Sequence, residues 1–323
     1  MLAVRATEAG GPEVLETVYP PLPKPGPGEI LIRHEAIGLN FIDTYHRSGL
    51  YPISFPAVLG LEAAGVVEAV GADVSRFQVG DRAAYGTGPL GAYAEAHAVP
   101  EGRAVKLPET VATKVAAAAM LKGLTAEFLL RRCYRVKAGE AVLVWAAAGG
   151  VGSILCQWAK ALGATVIGTV GSEGKAEVAR WNGCDHVLLY RDEDVAARVR
   201  EITGGEGARV VYDGVGKASF DASLASLGRR GMLVSYGNAS GPVAPVEPLA
   251  LSRAGSLFLT RPTLFDYVAT TEELDAAAAA LFEAIGSGAV RIGVGAEYPL
   301  AQAREAHEAL QAGETTGSVL LIP

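Results

Sequence analysis

A strand, a glycine turn and a helix follow one another without a break between residues 141 and 163, and few architectures accept that run. Ala141-Val142-Leu143-Val144-Trp145-Ala146 is apolar enough for a buried strand. Beyond the turn, Val151, Ile154, Leu155, Trp158, Ala159 and Leu162 recur at helical spacing, and Gly163 stands where a helix C′ residue belongs. The turn itself is Ala146-Ala147-Ala148-Gly149-Gly150-Val151-Gly152. Against the dinucleotide pattern G-x-G-x-x-G, Ala147 takes the first glycine's place, while Gly149 and Gly152 hold the second and third. Gly149 lets the backbone approach a pyrophosphate, and Gly152 lets helix and strand pack closely. The helix start then offers N–H groups and positive dipole to phosphate. Strand, turn and helix in register favour a dinucleotide site over a glycine turn that binds nothing.

The flanking pattern extends this unit. Thr165–Val170, His186–Leu189, Arg209–Asp213, Gly231–Ser235 and Ser256–Leu259 are further strand candidates separated by amphipathic segments, which predicts one doubly wound parallel sheet of six strands. Up to about residue 120 the texture differs. Short strands such as Glu29–His34, Gly65–Gly71 and Gly80–Tyr85 are punctuated by glycine, and the proline run Pro20–Gly28 excludes helix. That part reads as an antiparallel, barrel-like region. The tail carries two helices, Glu272–Ile285 and Ala301–Leu310, and a terminal strand, Gly317–Ile322, which either domain could receive.

Composition narrows the class. The 323 residues exceed one ordinary domain and suit two. A formal charge of −7 argues against nucleic acid or an anionic membrane as partner. No apolar run approaches the ~20 residues of a spanning helix, and Met1–Glu8 turns polar too early for a secretory leader. Cys133, Cys156 and Cys184 are scattered and without a C-x-x-C spacing, so reduced thiols and a cytoplasmic location are expected.

The second strand speaks to the choice of coenzyme. NAD sites place an Asp or Glu about 20 residues past the glycine pattern, on the ribose 2′-hydroxyl. Here the strand ends Thr169-Val170-Gly171-Ser172, with Lys175 one turn on. A small residue, a hydroxyl and a cation suit the additional phosphate of NADPH, although Lys175 alone also reads as a solvated lysine at a helix start.

Several long stretches together resemble one family. Asn40-Phe41-Ile42-Asp43-Thr44-Tyr45, Leu121-Lys122-Gly123-Leu124-Thr125, Ala146–Gly152, Cys156–Gly163, Tyr236-Gly237-Asn238 and Thr260-Arg261-Pro262 are similar to the zeta-crystallin-like quinone oxidoreductases of the medium-chain dehydrogenase/reductase superfamily. The resemblance spans essentially the whole chain. It implies a GroES-like catalytic domain over residues 1–122, a Rossmann domain for NADPH over 123–263, and a return to the catalytic domain over 264–323. It implies NADPH-dependent hydride transfer to quinones or similar electron-poor acceptors, and a homodimer that pairs Rossmann edge strands, here Ser256–Leu259. Carried over by position, Asn40 and Tyr45 would face the nicotinamide and substrate, and Thr125 would lie near the nicotinamide. Ala148, Gly149, Gly150 and Val151 would follow the pyrophosphate, and Gly171, Ser172, Lys175 and Tyr190 would surround the 2′-phosphate. Gly214 and Gly216 would pass the adenosine, with Tyr236, Gly237, Asn238, Thr260, Arg261 and Pro262 on the nicotinamide side. Relatives sometimes carry serine at the Gly214 position, so a hydroxyl contact is lost there.

The same resemblance marks a departure. The superfamily's alcohol dehydrogenases bind zinc through Cys and His. This chain has Gly38-Leu39-Asn40 near the catalytic cysteine's place, Gly60-Leu61-Glu62 in place of G-H-E, and none of the clustered structural cysteines. Metal-free reduction of a conjugated acceptor is therefore expected. Plainer readings attach to other residues. His34, His46, His97, His186 and His307 are isolated and read as structural or surface, Asp43 as a cap, and Cys156 as core. Tyr45 taken alone reads equally well as interface packing. Arg131–Lys137 reads as cations at a helix C-terminus. The rival activities are reduction of α,β-unsaturated carbonyls by the same zinc-free chemistry, and NADPH binding combined with RNA binding, against which the acidic charge counts.

Overall fold

A computed structural model describes residues 1–323 and divides them into two compact units. The first comprises Met1–Leu124, Val268–Gly286 and Ile292–Pro323; the second comprises Thr125–Tyr267 and Ser287–Arg291.

The first unit opens with β1 (Ala3–Ala6), β2 (Leu15–Val18), β3 (Glu29–Leu39), α1 (Phe41–Arg47), β4 (Ala57–Val58), β5 (Glu62–Val70), β6 (Arg82–Tyr85), β7 (Ala96–Pro100), β8 (Val105–Lys106) and most of α2 (Thr113–Phe128), whose last residues, from Thr125, belong to the second unit. β3 is long enough to serve three partners. It pairs antiparallel with β5 along most of its length and with β7 at its start. Ile30, Ile32, Ile37 and Leu39 of β3 lie in a core shared with Val67, Tyr85, Tyr93 and Val99.

The second unit contains β9 (Ala141–Val144), α3 (Gly150–Ala161), β10 (Thr165–Val170), α4 (Glu173–Trp181), β11 (His186–Leu189), α5 (Val195–Ile202), β12 (Ala208–Asp213), α6 (Phe220–Ser226), β13 (Leu227–Ser235), α7 (Pro248–Arg253), β14 (Phe258–Thr260) and α8 (Leu264–Tyr267). Its sheet runs in the order β11-β10-β9-β12-β13-β14, every neighbouring pair parallel. That is the doubly wound order expected from the alternation of apolar strands and amphipathic helices. The first strand is shorter than its apolar run, because Ala146 turns the chain with φ 54° directly after Trp145. The last begins two residues later than the hydrophobic pattern proposed.

The chain then adds α9 (Thr271–Gly286), β15 (Val294–Pro299), α10 (Ala303–Gln311) and β16 (Ser318–Ile322). β16 settles the question the sequence left open: it pairs antiparallel with β3, Leu320 opposite Gly38, and so completes the first unit's sheet. No helix is long and apolar enough to cross a membrane.

Candidate active site

In the second unit, every proposed cofactor segment follows the C-terminal end of a parallel strand, where ligands bind in such sheets. Ala148–Val151 follows β9, Gly171–Lys175 follows β10, Gly214–Gly216 follows β12, Tyr236–Asn238 follows β13 and Arg261–Pro262 follows β14. The glycine turn is held by its own backbone: the Gly149 N–H donates to Ala146 O at 2.8 Å, and Gly149 caps α3. A Cβ on Gly152 would stand 2.2 Å from Ala146 O, so only glycine closes this turn. The alanine at the first glycine's place is accommodated from outside the motif. A Cβ on Gly168 of β10 would come within 2.7 Å of the Ala147 methyl, and glycine there leaves the room.

At the end of β10, Ser172 caps α4 and Tyr190 leans over Gly171, its hydroxyl 2.7 Å from where a Cβ would lie. Burial, and after it the nearby Arg191 guanidinium, hold the Lys175 ammonium below the ordinary lysine range. Arg191 is thus a second cation whose charge reaches Lys175, one the sequence pattern did not mark.

Gly214 has a structural explanation: its missing Cβ makes room for the Tyr236 ring, which would lie 2.9 Å away. Beneath this loop sits a carboxylate that no motif flagged. Asp213, buried at the end of β12, accepts from the Val215 and Gly216 N–H groups at 2.8 and 3.0 Å and from the Ser219 and Ser223 hydroxyls. The Arg261 Nη1 donates to Ser235 O at 3.1 Å and so joins the ends of β13 and β14.

In the first unit, Asn40 caps α1 and is buried, as is Tyr45 on the same helix. Tyr45 meets Tyr51 edge to face at 5.2 Å between ring centres, and Phe41 lies 6.4 Å from Tyr45, forming a small aromatic group. Asp43 caps as expected, accepting the Asn40 N–H at 2.9 Å, but it does more than close a helix. The buried Arg47 donates to His307 Nδ1 at 3.0 Å, which leaves the imidazole proton on Nε2 and directs it to the Tyr93 hydroxyl at 2.9 Å. Tyr93 in turn donates to Asp43 Oδ2 at 3.0 Å. Burial pushes the Asp43 carboxyl up to about 7, against the lowering effect of the Asn40 and Tyr93 hydrogen bonds. Thr125, the third proposed catalytic residue, is buried within α2 and belongs to the second unit.

Two family models match the chain: an alcohol dehydrogenase GroES-like domain over residues 26–109 and a zinc-binding dehydrogenase over 150–284. A quinone oxidoreductase of Pseudomonas aeruginosa is 54% identical over 316 residues, 97% of each chain. The chain belongs to the quinone oxidoreductase family of the medium-chain dehydrogenases/reductases. The structure of Escherichia coli quinone oxidoreductase complexed with NADPH superposes with a TM-score of 0.98 at 48% identity, covering 100% of both chains. A 2-haloacrylate reductase of a Burkholderia species is 43% identical over 100% of this chain and 99% of its own. The first unit is thus the GroES-like domain and the second the Rossmann domain, as the resemblance implied.

The zinc in the matched family's description meets a changed residue set here. Leu61 is packed in the core between Gly60 and Glu62, and no group of three or more His, Cys, Asp or Glu side chains is placed to hold a metal ion. The histidines are structural where they are buried: His34 bonds Ala94 O and the Tyr85 hydroxyl, and His307 lies in the Arg47–Tyr93 chain. Arg191 and Asp213 were absent from the sequence reading. An aspartate ending a strand, with glycines at the next position and two beyond it, is the only signal that could have marked the second.

Proposed function

We propose that this chain catalyses the metal-free, NADPH-dependent reduction of quinones in the cytoplasm, as a homodimer. The observation that carries the coenzyme choice is the end of β10, where Val170-Gly171-Ser172 brings no carboxylate and Lys175 stands one turn on, its ammonium lowered in part by the charge of Arg191. The relatives supply the acceptor class. The glycine turn fits a dinucleotide, because its Cβ-free positions bring backbone N–H groups to the start of α3.

On this reading Ala148, Gly149, Gly150 and Val151 hold the pyrophosphate, and Gly171, Ser172, Lys175, Tyr190 and Arg191 hold the 2′-phosphate. Gly214 and Gly216 border the adenosine, while Tyr236, Gly237, Asn238, Thr260, Arg261, Pro262 and Thr125 border the nicotinamide. Bound NADPH supplies the hydride. Phe41, Tyr45 and Tyr51 offer aromatic surface to a flat acceptor, the Tyr45 hydroxyl orients it, and Asn40 lies beside the nicotinamide. Neither is an obligatory acid, because the hydroquinone oxygens take protons from water. The dimer reading rests on β14, an edge strand bonded to β13 alone, whose Phe258 is 56% exposed. The cytoplasmic reading rests on three free thiols.

Steady-state rates with a para-quinone, an enone and 2-haloacrylate, each with NADPH and with NADH, test the proposal. Quinone turnover preferring NADPH is expected. Turnover of 2-haloacrylate alone would favour the second reading, reduction of an activated alkene, which the Burkholderia relative supports.

A further inference from the structure

Glu62, at the start of β5, is fully buried and accepts three hydrogen bonds. Its Oε1 takes the Leu121 N–H at 2.7 Å, and its Oε2 takes Asn40 Nδ2 and Lys122 Nζ, each at 2.8 Å. Three donors converge on one side chain, so only an all-acceptor group satisfies them; glutamine would set an NH2 against at least one. The space for the carboxylate comes from Gly38 of β3, where a Cβ would stand 2.0 Å from Glu62 Oε2 and 2.5 Å from Ala117 O. Lys122, 5% exposed at its side chain, balances the buried charge.

The consequence falls on Asn40. Its Nδ2 has two protons, and both are spent, one on Glu62 Oε2 and one on Gly38 O at 3.2 Å. Exchanging the amide ends would place Oδ1 against two acceptors, so the orientation is forced by chemistry. We propose that Glu62 and Lys122 are positioning residues that lock the Asn40 amide, leaving its carbonyl oxygen as the only group it can offer a bound molecule. This rests on the reading of Asn40 as a contact to coenzyme or acceptor. Asn40 then recognises a donor, the N–H of a carboxamide or the O–H of a hydroquinone, and gives no hydrogen bond to a quinone oxygen.

Two measurements on the full chain decide it. In the unliganded protein, the side-chain NH2 resonances of Asn40, identified by their absence in Asn40→Ala, are expected to exchange at least about tenfold more slowly than exposed amides. Glu62→Asp, which keeps the charge and shortens the arm, should abolish that protection. In the working enzyme, Lys122→Met is expected to lower kcat/KM for the quinone by about 10- to 100-fold. In an Asn40→Ala background the same change should cost less than about threefold, because the route through Asn40 is already gone. Glu62→Asp replaces Lys122→Met in the cycle if the latter does not fold. A freely exchanging Asn40 amide, or costs that simply multiply in the double variant, overturns the proposal. A wild-type enzyme that reduces no quinone would sink the functional reading instead, and the amide exchange would still decide the positioning.

Discussion

Charge and hydrogen-bond direction at single side chains are where the proposed selectivity can be tested. On the proposed reading, Lys175 after β10 and Arg191 after β11, whose charge lowers the Lys175 ammonium, both favour a 2′-phosphate. Lys175→Ala is therefore expected to weaken NADPH by about 5- to 30-fold, the effect being moderated by solvent screening, while NADH binding stays nearly constant. Parallel titrations of both coenzymes check this, and equal affinity of the wild type for the two would refute the pocket assignment. In the catalytic unit, Tyr45→Phe removes one polar contact and keeps the ring against Tyr51. A loss of about 2- to 12-fold in kcat/KM for the quinone is expected. A loss of several thousand-fold would show Tyr45 to be an obligatory acid.

Elements impose tighter conditions than side chains, because backbone cannot move aside. The turn between β9 and α3 closes on Ala146 O, and Gly152→Ala would drive a methyl to 2.2 Å from that oxygen. A destabilisation of about 1–3 kcal/mol together with loss of NADPH binding is expected, by thermal unfolding and titration. Gly174 in α4 provides the contrast, since nothing lies within 4 Å of its absent Cβ. Gly174→Ala should raise stability by about 0.5–1 kcal/mol, through helix propensity alone. At the opposite edge of the sheet, Phe258→Lys places a charge on the exposed strand β14 and should turn a dimer into a monomer in light scattering. A monomeric wild type would discard the edge-strand dimer.

At the scale of the whole molecule, buried ionisable groups tie stability to pH. Burial lowers His34 and His307 to about 3, from an ordinary value near 6.5. Each contributes stability that is present above about pH 6.5 and lost as the pH falls toward 3. Asp43 works oppositely: raised to about 7 from 3.8, it contributes stability that is present below 3.8 and lost as the pH rises through 7. Burial lowers His46 and His97 as well, so between pH 6 and 4.5 the unfolded chain binds at least two histidine protons more than the folded one, against the single proton that Asp43 holds only when folded. Stability should accordingly fall on acidification, by at least about 1.4 kcal/mol per pH unit. Asp43→Asn removes the opposing group, so urea unfolding of the variant should show a slope steeper by about 1.4 kcal/mol per pH unit. Equal slopes would mean that Asp43 is ionised across this range.

Local pattern alone determined the Rossmann sheet and the glycine turn, and it carried the expectation of NADPH. Strand period, helix period and a strand end without a carboxylate are properties of contiguous residues, and Ala141–Lys175 contains them all. Asp43 was legible as a cap for the same reason, since a capping box spans four residues. What the sequence could not reveal lies between residues far apart along the chain. The terminal strand joins β3 across some 280 residues. Gly168 makes room for Ala147, Tyr236 fills the space over Gly214, and Arg191 approaches Lys175. The Arg47–His307–Tyr93–Asp43 chain and the Glu62–Lys122–Asn40 group are of the same kind. Hydrogen bonds and close packing act over a few ångströms, and only the folded chain brings such residues within that range.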